Sequence, residues 1–370
     1  MANSNPPRRI RVAQLITGLG AGGAEMVVYN LSKSLNKQHF SNRVISLSNN
    51  TEILPRFRQR GIDVKVFNMK KGPLSFLSTM LKIYRDIQKN QVDIIHAHMV
   101  HAGIVGGIFK VLNPKLKIVF TSHNDNLESR LREFLIWATR VLRSVDIIFS
   151  KKRIPYFIKR KPKVIPNGID PQVFRRDLQD RRTFRFILVA RFEPQKNHSD
   201  LIDAIYEIKH LDFEVLLVGD GSLKPEIEAK VRRLELNQKV KFLGRRDDIP
   251  DLLANADCML LPSLWEGLPI CVLEAGASSL PVIATPVGHL DQILNKENSY
   301  FREIQNFPQA MRHVIENPEE ARLKGDKLRK MVEGHFSVSQ NVEKHENIYK
   351  GCLNNFNALK PRRNKHIFSY

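Results

Sequence analysis

The sequence predicts an α/β chain made of two doubly wound domains, each a parallel sheet wrapped by helices. Three observations support this. Short β-branched runs alternate with longer amphipathic segments, the pattern of parallel strands joined by crossover helices. The alternation pauses once, at Pro166-Asn167-Gly168, a turn whose geometry the proline and glycine fix, and then restarts. The chain has 370 residues, enough for two domains with cores of their own. The boundary falls near residues 165–180, giving residues 1–168 and 177–335 as the two domains.

In the first domain, residues 10–17 read as an apolar strand that runs into a glycine-rich turn, and a helix follows over 25–35. Further strands are predicted at 43–47, 64–67, 93–97, 118–122 and 146–149, with helices between them, clearest over 74–89 and 127–141. In the second domain, strands are predicted at 184–190, 214–218, 239–243, 258–261 and 282–284. Helices are predicted at 199–210, 223–234, 249–254 and 269–279, the last opening on Pro269, a residue suited to a helix's first turn. Ligands of such sheets bind at the carboxyl ends of the strands. The residues just after each strand are therefore the ones to inspect for chemistry.

Composition narrows the class. Apolar residues make up 42% of the chain, normal for a globular protein, and no apolar run approaches the roughly 20 residues that cross a bilayer. The start of the chain is polar, then basic, and leads into a strand, which is not a secretion signal. Cys258, Cys271 and Cys352 lack both ligand spacing and an obvious pairing, so a reducing, cytoplasmic setting is expected and a zinc site is not. The net charge of +21 is unevenly placed. Residues 1–176 hold 31 Lys/Arg against 10 Asp/Glu, while the remainder balances at 28 against 28. One reading is a basic, solvated surface that keeps the protein soluble. The other is an anionic partner for the first half: acidic lipid headgroups or a phosphate-bearing acceptor. The densest basic stretch is 151–163, with Tyr156 and Phe157 as expected interfacial anchors; residues 357–370 form a basic tail.

Four groups of residues carry candidate chemistry. The loop Gly18, Gly20, Gly22, Gly23 follows a strand and opens a helix, where bare N–H groups and the helix dipole suit a phosphate; its spacing is neither the dinucleotide nor the P-loop pattern, and a merely tight turn is the competing reading. Arg191 and Lys196 leave the first strand of the second domain, where two cations can clamp a diphosphate and hold the charge of a leaving group. Two solvated surface cations would read the same. Glu266 and Glu274 lie seven residues apart around Pro269. A carboxylate such as Glu274 inside an apolar helix must be exposed, paired or bound to a ligand, and sugar hydroxyls are suitable donors to both; the amides of Gly267 and Leu268 would face a phosphate. His96, His98 and His123 each follow a strand. His96 and His98 have the look of a metal pair but no evident third ligand.

Together these segments resemble the retaining family 4 glycosyltransferases, whose fold is GT-B. The resemblance runs from about residue 11 to residue 349, and its segments come in family order: the loop at Gly22 and Gly23, the histidine segment at His123, Pro166 to Asp170, Arg191 with Lys196, Gly219 with Gly221, Leu260 to Ser263, and Glu266 with Glu274. The resemblance implies that Glu266 binds the donor sugar, Glu274 the ribose, Arg191 and Lys196 the diphosphate, Gly22 and Gly23 its phosphate, and that His123 lies against the sugar. Arg191, Lys196, Glu266 and His123 are thus the expected catalytic set. Gly22, Gly23, Gly219, Gly221, Arg245, Gly267, Leu268 and Glu274 are the expected donor-binding set. It further implies no metal cofactor, and a last helix over 336–356 that crosses back to the first domain. Segment 150–162 departs from the family pattern by being short and strongly basic.

The expected activity is transfer of a sugar from a nucleotide diphosphate donor, with uridine as the base, to a glycan or lipid-linked acceptor. The setting would be bacterial surface polysaccharide synthesis at the inner face of the membrane. Two alternatives compete with this reading. A nucleotide-sugar epimerase shares the fold, but the first half lacks the acidic set that its acid/base chemistry needs. A nucleic-acid-binding protein would suit a pI near 10.0, yet the basic stretch has only Tyr156 and Phe157 among its charges and no recognisable module.

Overall fold

The structure is a computed structural model that describes residues 8–20, 22–70, 72–123, 129–151, 154–175 and 183–357. It divides into two compact units: one holds the described residues up to Ile165 together with those from Asn341 onward, and the other is Pro166–Gln340.

The first unit runs β1 (Ile10–Ile16), α1 (Gly23–Ser34), β2 (Phe40–Ser46), α2 (Leu54–Gln59), β3 (Asp63–Val66), α3 (Pro73–Lys89), β4 (Ile94–His98), α4 (Met99–Leu112), β5 (Lys117–Thr121), α5 (Arg130–Ala138), β6 (Val145–Ile148) and β7 (Lys163–Val164). Its seven strands are ordered β3-β2-β1-β4-β5-β6-β7, and every pairing is parallel. The order reverses between β1 and β4, so the carboxyl ends of these two strands flank the switch point where such sheets take ligands. Register places Gln14 beside His96, and His98 beside both Ile16 and Thr121. Those polar residues occupy two successive rows on one face of the sheet's centre, Gln14 with His96 and then His98 with Thr121.

The second unit runs β8 (Phe184–Val189), α6 (His198–Glu207), β9 (Phe213–Val218), α7 (Lys224–Arg233), β10 (Val240–Gly244), α8 (Ile249–Ala254), β11 (Cys258–Leu261), α9 (Ile270–Ala277), β12 (Val282–Ala284), β13 (Tyr300–Phe301), α10 (Phe307–Glu316) and α11 (Pro318–His335). Its sheet is parallel throughout, ordered β10-β9-β8-β11-β12-β13, with the switch point between β8 and β11. The core is apolar, led by Phe186, Leu188, Phe192, Phe213, Leu260 and Phe307. A last helix, α12 (Val338–Asn357), belongs to the first unit from Asn341 onward.

Two parallel doubly wound sheets are therefore what the alternation predicted. Several elements differ from expectation. Helix α4 was not singled out, because Gly103, Gly106 and Gly107 depress helix propensity. They are there for packing: a Cβ on Gly103 would lie 2.8 Å from the Phe120 ring. Helices α2, α10 and α11 and strands β7 and β13 were also missed, and the helix expected over 127–141 is regular only over Arg130–Ala138 before tightening into a 3₁₀ turn. Its first two residues lie outside the described ones, as do Lys152, Arg153 and the tail from residue 358. The expected anchor Phe157 is corrected outright. It is 1% exposed and part of the first unit's core, whereas its neighbour Tyr156 is 57% exposed. A buried pair explains the split: Arg143 donates to the Phe157 carbonyl at 2.6 Å and meets Asp146 at 3.2 Å, and Asp146 accepts from the Lys159 amide at 2.9 Å. These bonds tie the basic stretch to the start of β6.

Candidate active site

In the first unit, the glycine loop sits at the end of β1. Leu19 donates its amide to the Asn50 carbonyl at 2.8 Å, and a Cβ on Gly20 would lie 2.8 Å from the Asn50 side chain. Gly22 is the N-cap of α1 in an extended conformation and Gly23 the first helical residue; no side chain caps this end. An uncapped helix start suits a phosphate, although here the first-turn Glu25 carboxylate lies against Gly22.

Beside this loop's strand lies a buried polar cluster. His96 Nδ1 meets the Tyr349 hydroxyl at 2.7 Å and its Nε2 meets Thr121 Oγ1 at 2.7 Å. His98 Nε2 meets Gln14 Oε1 at 2.9 Å, and its Nδ1 meets His123 Nε2 at 3.2 Å. The ring nitrogens of His96 and His98 are thereby engaged with protein partners, which removes the reason to read them as a metal pair. The cluster sits at the carboxyl ends of β4 and β5, and α12 closes it from the other side through His345 and Tyr349.

The second unit gathers charge at its own switch point. A 3₁₀ turn after β8 presents Lys196, and the left-handed Asn197 (φ 52°) then turns the chain into α6. Lys196 Nζ meets Glu266 Oε1 at 2.5 Å. The same carboxylate accepts from Ser263 Oγ at 2.7 Å and from Gln195 Nε2 at 3.4 Å. Arg191 is exposed just beyond β8. Glu274 is half-buried on α9, flanked by the buried Val272, Leu273 and Ala275. Burial pushes the Cys271 thiol up to about 12, with Lys196, Glu266 and Glu274 all near enough to act on it electrostatically.

The loop before α9 is pinned by its carbonyls. Gly267 O accepts from the His289 amide at 3.1 Å and Leu268 O from Asn167 Nδ2 at 2.6 Å. Holding the Gly267 carbonyl turns the Leu268 N–H, its trans partner in the same peptide, the opposite way, whereas the Leu268–Pro269 peptide has no N–H to aim. Gly219 and Gly221 have a packing reason to be glycine: a Cβ on Gly219 (φ 142°) would fall on the Ala190 carbonyl, and one on Gly221 would crowd the Phe192 backbone. They let the loop after β9 press against the Arg191 loop. Arg245 stands 3.9 Å from Asp220 on that same rim.

The structure therefore brings Lys196, Glu266, Glu274, Gly267 and Leu268 together in the second unit, with Arg191, Gly219, Gly221 and Arg245 on neighbouring strand ends. Gly22, Gly23 and His123 stand at strand ends of the first. Sequence reasoning named Ser263, Asn167 and Thr121 only as members of motif segments, and missed Gln195 and His289 in one unit and Gln14, His345 and Tyr349 in the other. Gln14 carried a signal of its own, as a polar residue inside an apolar strand.

Comparison with known proteins agrees with this geometry. Residues 183–317 match the family model "Glycosyl transferases group 1", and residues 21–173 match "Glycosyltransferase Family 4". An uncharacterized glycosyltransferase of Methanocaldococcus jannaschii is 30% identical over 266 residues, 67% of this chain and 73% of the relative. The chain belongs to glycosyltransferase family 4. Another relative, the Escherichia coli UDP-Gal:alpha-D-GlcNAc-diphosphoundecaprenol alpha-1,3-galactosyltransferase, is 28% identical over 307 residues, covering 74% of this chain and 79% of that one. The fold matches the crystal structure of Anabaena HepE in complex with UDP and glucose, with a TM-score of 0.81 at 22% identity over 92% of this chain and all of that one. This family 4 member is a GT-B enzyme, a transferase built on two parallel-sheet units.

The buried histidines make its stability depend on pH. Burial pushes His123 down to about 3, and His345 and His198 down to about 4; burial and neighbouring rings hold His96 and His98 well below the ordinary value. Each folded value lies below the unfolded one, so the neutral ring's contribution is complete above about pH 6.5 and is lost as pH falls toward the folded value. At pH 5 each of His123, His345 and His198 should cost about 2 kcal/mol of stability relative to pH 7. Urea unfolding at the two pH values checks this, and equal midpoints would show that the rings are not held neutral.

Proposed function

We propose that this enzyme transfers a sugar from a UDP-sugar, with retention of the anomeric configuration, to a lipid-linked or glycan acceptor in bacterial surface polysaccharide synthesis. The observation that carries the reading is the Lys196–Glu266 pair, fixed by Ser263 and Gln195, with Arg191 exposed on the adjoining strand end. A sugar nucleotide needs cations at its diphosphate and carboxylates at its hydroxyls. Lys196, now neutralised by Glu266, would gain a second anionic partner when the diphosphate arrives, and Arg191 would complete the clamp. Charge that develops on the departing nucleotide is then met by preformed positive groups. Glu266 takes a hydroxyl of the transferred sugar, Glu274 the ribose diol, and the amides of Gly267 and Leu268 a phosphate oxygen. The uncapped start of α1 at Gly22 and Gly23 suits phosphate as well, and His123 is assigned to the sugar.

The E. coli relative's name supports both a UDP-sugar donor and a lipid diphosphate acceptor. A metal is not required in this scheme. The cations and helix amides do its work, and the paired histidines His96 and His98 are engaged elsewhere.

We assign the enzyme to the inner face of the cell membrane as a peripheral protein. Among the described residues, no helix is long and apolar enough to cross a bilayer. Helix α5 nevertheless exposes Leu131, Phe134 and Trp137, the following turn exposes Val141, and Ile154 and Tyr156 are exposed after β6. Phe134 stacks on Trp137, and Arg140 donates to the Tyr156 carbonyl at 3.2 Å, so these groups form one face. Arg130 acts electrostatically on Tyr156 and Arg140 bonds to it, so both stand beside this face. Aromatic rings beside arginines suit an anionic headgroup layer, where each basic residue contributes about 1 kcal/mol.

Three outcomes are expected. Arg191→Ala and Glu274→Ala should each lower transfer by about 10²-fold or more with an unchanged thermal melt; near-native turnover would remove that residue from the site. Transfer should persist in excess EDTA, and loss on chelation with recovery on adding Mg²⁺ or Mn²⁺ would refute metal independence. In vesicle flotation, binding should rise with phosphatidylglycerol content and fall with salt, and Phe134→Ser with Trp137→Ser should weaken it. Equal recovery on neutral and anionic vesicles would point to a soluble acceptor instead.

A further inference from the structure

The first unit's histidine cluster has more order than a packed core requires, because its hydrogen bonds have a single direction. Gln14 Nε2 donates to Asn42 Oδ1 at 3.1 Å and to the Tyr349 hydroxyl at 3.3 Å, while its Oε1 faces His98 Nε2 at 2.9 Å. An amide oxygen can only accept, so His98 carries its proton on Nε2. In a neutral ring Nδ1 is then an acceptor, and the donor in the 3.2 Å contact with His123 must be His123 Nε2. The same logic runs the other way. The Tyr349 oxygen already accepts from Gln14, so its own proton goes to His96 Nδ1, leaving His96 to donate from Nε2 to Thr121. Three histidines thus take their tautomers from one amide.

We infer that Gln14 is a positioning residue for the transfer reaction: through His98 it fixes the proton of His123 on Nε2, so that His123 presents an unprotonated Nδ1, a hydrogen-bond acceptor, to a ligand hydroxyl. His123 is held as well as oriented. Its ring lies 5.4 Å from that of His98 and edge-on to Phe149 at 5.5 Å. Its Nε2 is committed inward, so Nδ1 is the nitrogen left for a ligand. That nitrogen accepts from a sugar hydroxyl and has no proton to give. The role of His123 is therefore recognition and orientation of the donor sugar, not general acid catalysis.

Apart from the carboxylate of Glu346, the groups that face the cluster are uncharged. They are Gln14 of β1, Asn42 of β2, His96 and His98 of β4, Thr121 of β5, and His345 and Tyr349 of α12. Glu346 of α12 acts on Tyr349 and accepts from the Asn36 amide. Burial lowers every one of these histidines, which keeps the rings neutral and the acceptor role intact at working pH.

The inference rests on assigning His123 to the sugar, so the test separates the two. Long-range ¹H–¹⁵N spectra of the ¹⁵N-histidine-labelled chain report the protonated nitrogen of each ring directly. The native chain should show His123 protonated on Nε2 alone, unchanged from pH 6 to 8. Gln14→Glu places a carboxylate against His98, raises its pKa and creates an imidazolium whose Nδ1–H donates to His123 Nε2, forcing the His123 proton onto Nδ1. Hydrolysis of UDP-galactose or UDP-glucose by this variant should fall at least tenfold at pH 6.5 and recover as pH rises and His98 deprotonates, against a flat native profile. Binding of UDP alone, read by calorimetry, should stay within twofold. Should Gln14→Glu fail to fold, Gln14→Met removes the amide without adding charge, and His123 should then show both tautomers. A native His123 protonated on Nδ1, or a Gln14→Met chain with His123 still on Nε2 alone, overturns the inference. A tautomer switch with unaltered hydrolysis keeps the proton assignment and removes His123 from the donor site.

Discussion

The ion pair between Lys196 and Glu266 is the contact around which the second unit's strand ends are arranged. A carboxylate that is nearly buried needs compensation, and it receives it from three directions: an ammonium, a hydroxyl and an amide. The three donors come from two strand ends. Lys196 and Gln195 sit on the turn after β8, and Ser263 on the loop after β11. The pair therefore ties together the two strands that flank the switch point. The neighbouring glycines serve the same closeness: Gly219 and Gly221 let the β9 loop rest on the Arg191 loop, and Gly288 lets its own loop lie on the Glu266 carbonyl.

The first unit solves the matching problem with the opposite chemistry. Among the described residues, the carboxyl ends of β4 and β5 carry histidine rings joined by hydrogen bonds and covered by α12. One half of the enzyme is organised by charge and the other by proton direction.

The fold was legible because parallel strands buried on both faces leave dense β-branched runs, as over Ile10–Ile16, Phe184–Val189 and Phe213–Val218. Elements that broke the usual composition were lost: α4, with three glycines, and β7 and β13, two residues each. The charged residues of the candidate site were legible too, since cations after a strand and acids around Pro269 mark themselves. Their supports were not. Gln14 and Tyr349 touch across 335 residues, and Asn167 and Leu268 across 101. Periodicity reports local structure and has no term for such contacts. The Phe157 error has the same source. An aromatic among lysines resembles a surface anchor until Arg143 and Asp146 draw its backbone inward.

The three cysteines have a practical consequence. Cys258 and Cys352 are buried, and burial raises the thiol of each, as it does at the half-buried Cys271, where the value reaches about 12. Alkylating reagents attack the thiolate, and at neutral pH these sulfurs hold almost none. The native chain is thus close to silent toward maleimides. A single cysteine introduced on the exposed face of α5, in place of Leu131 for example, would be the one fast-reacting thiol, and a polarity-sensitive dye attached there would report what that face touches without any further change to the protein.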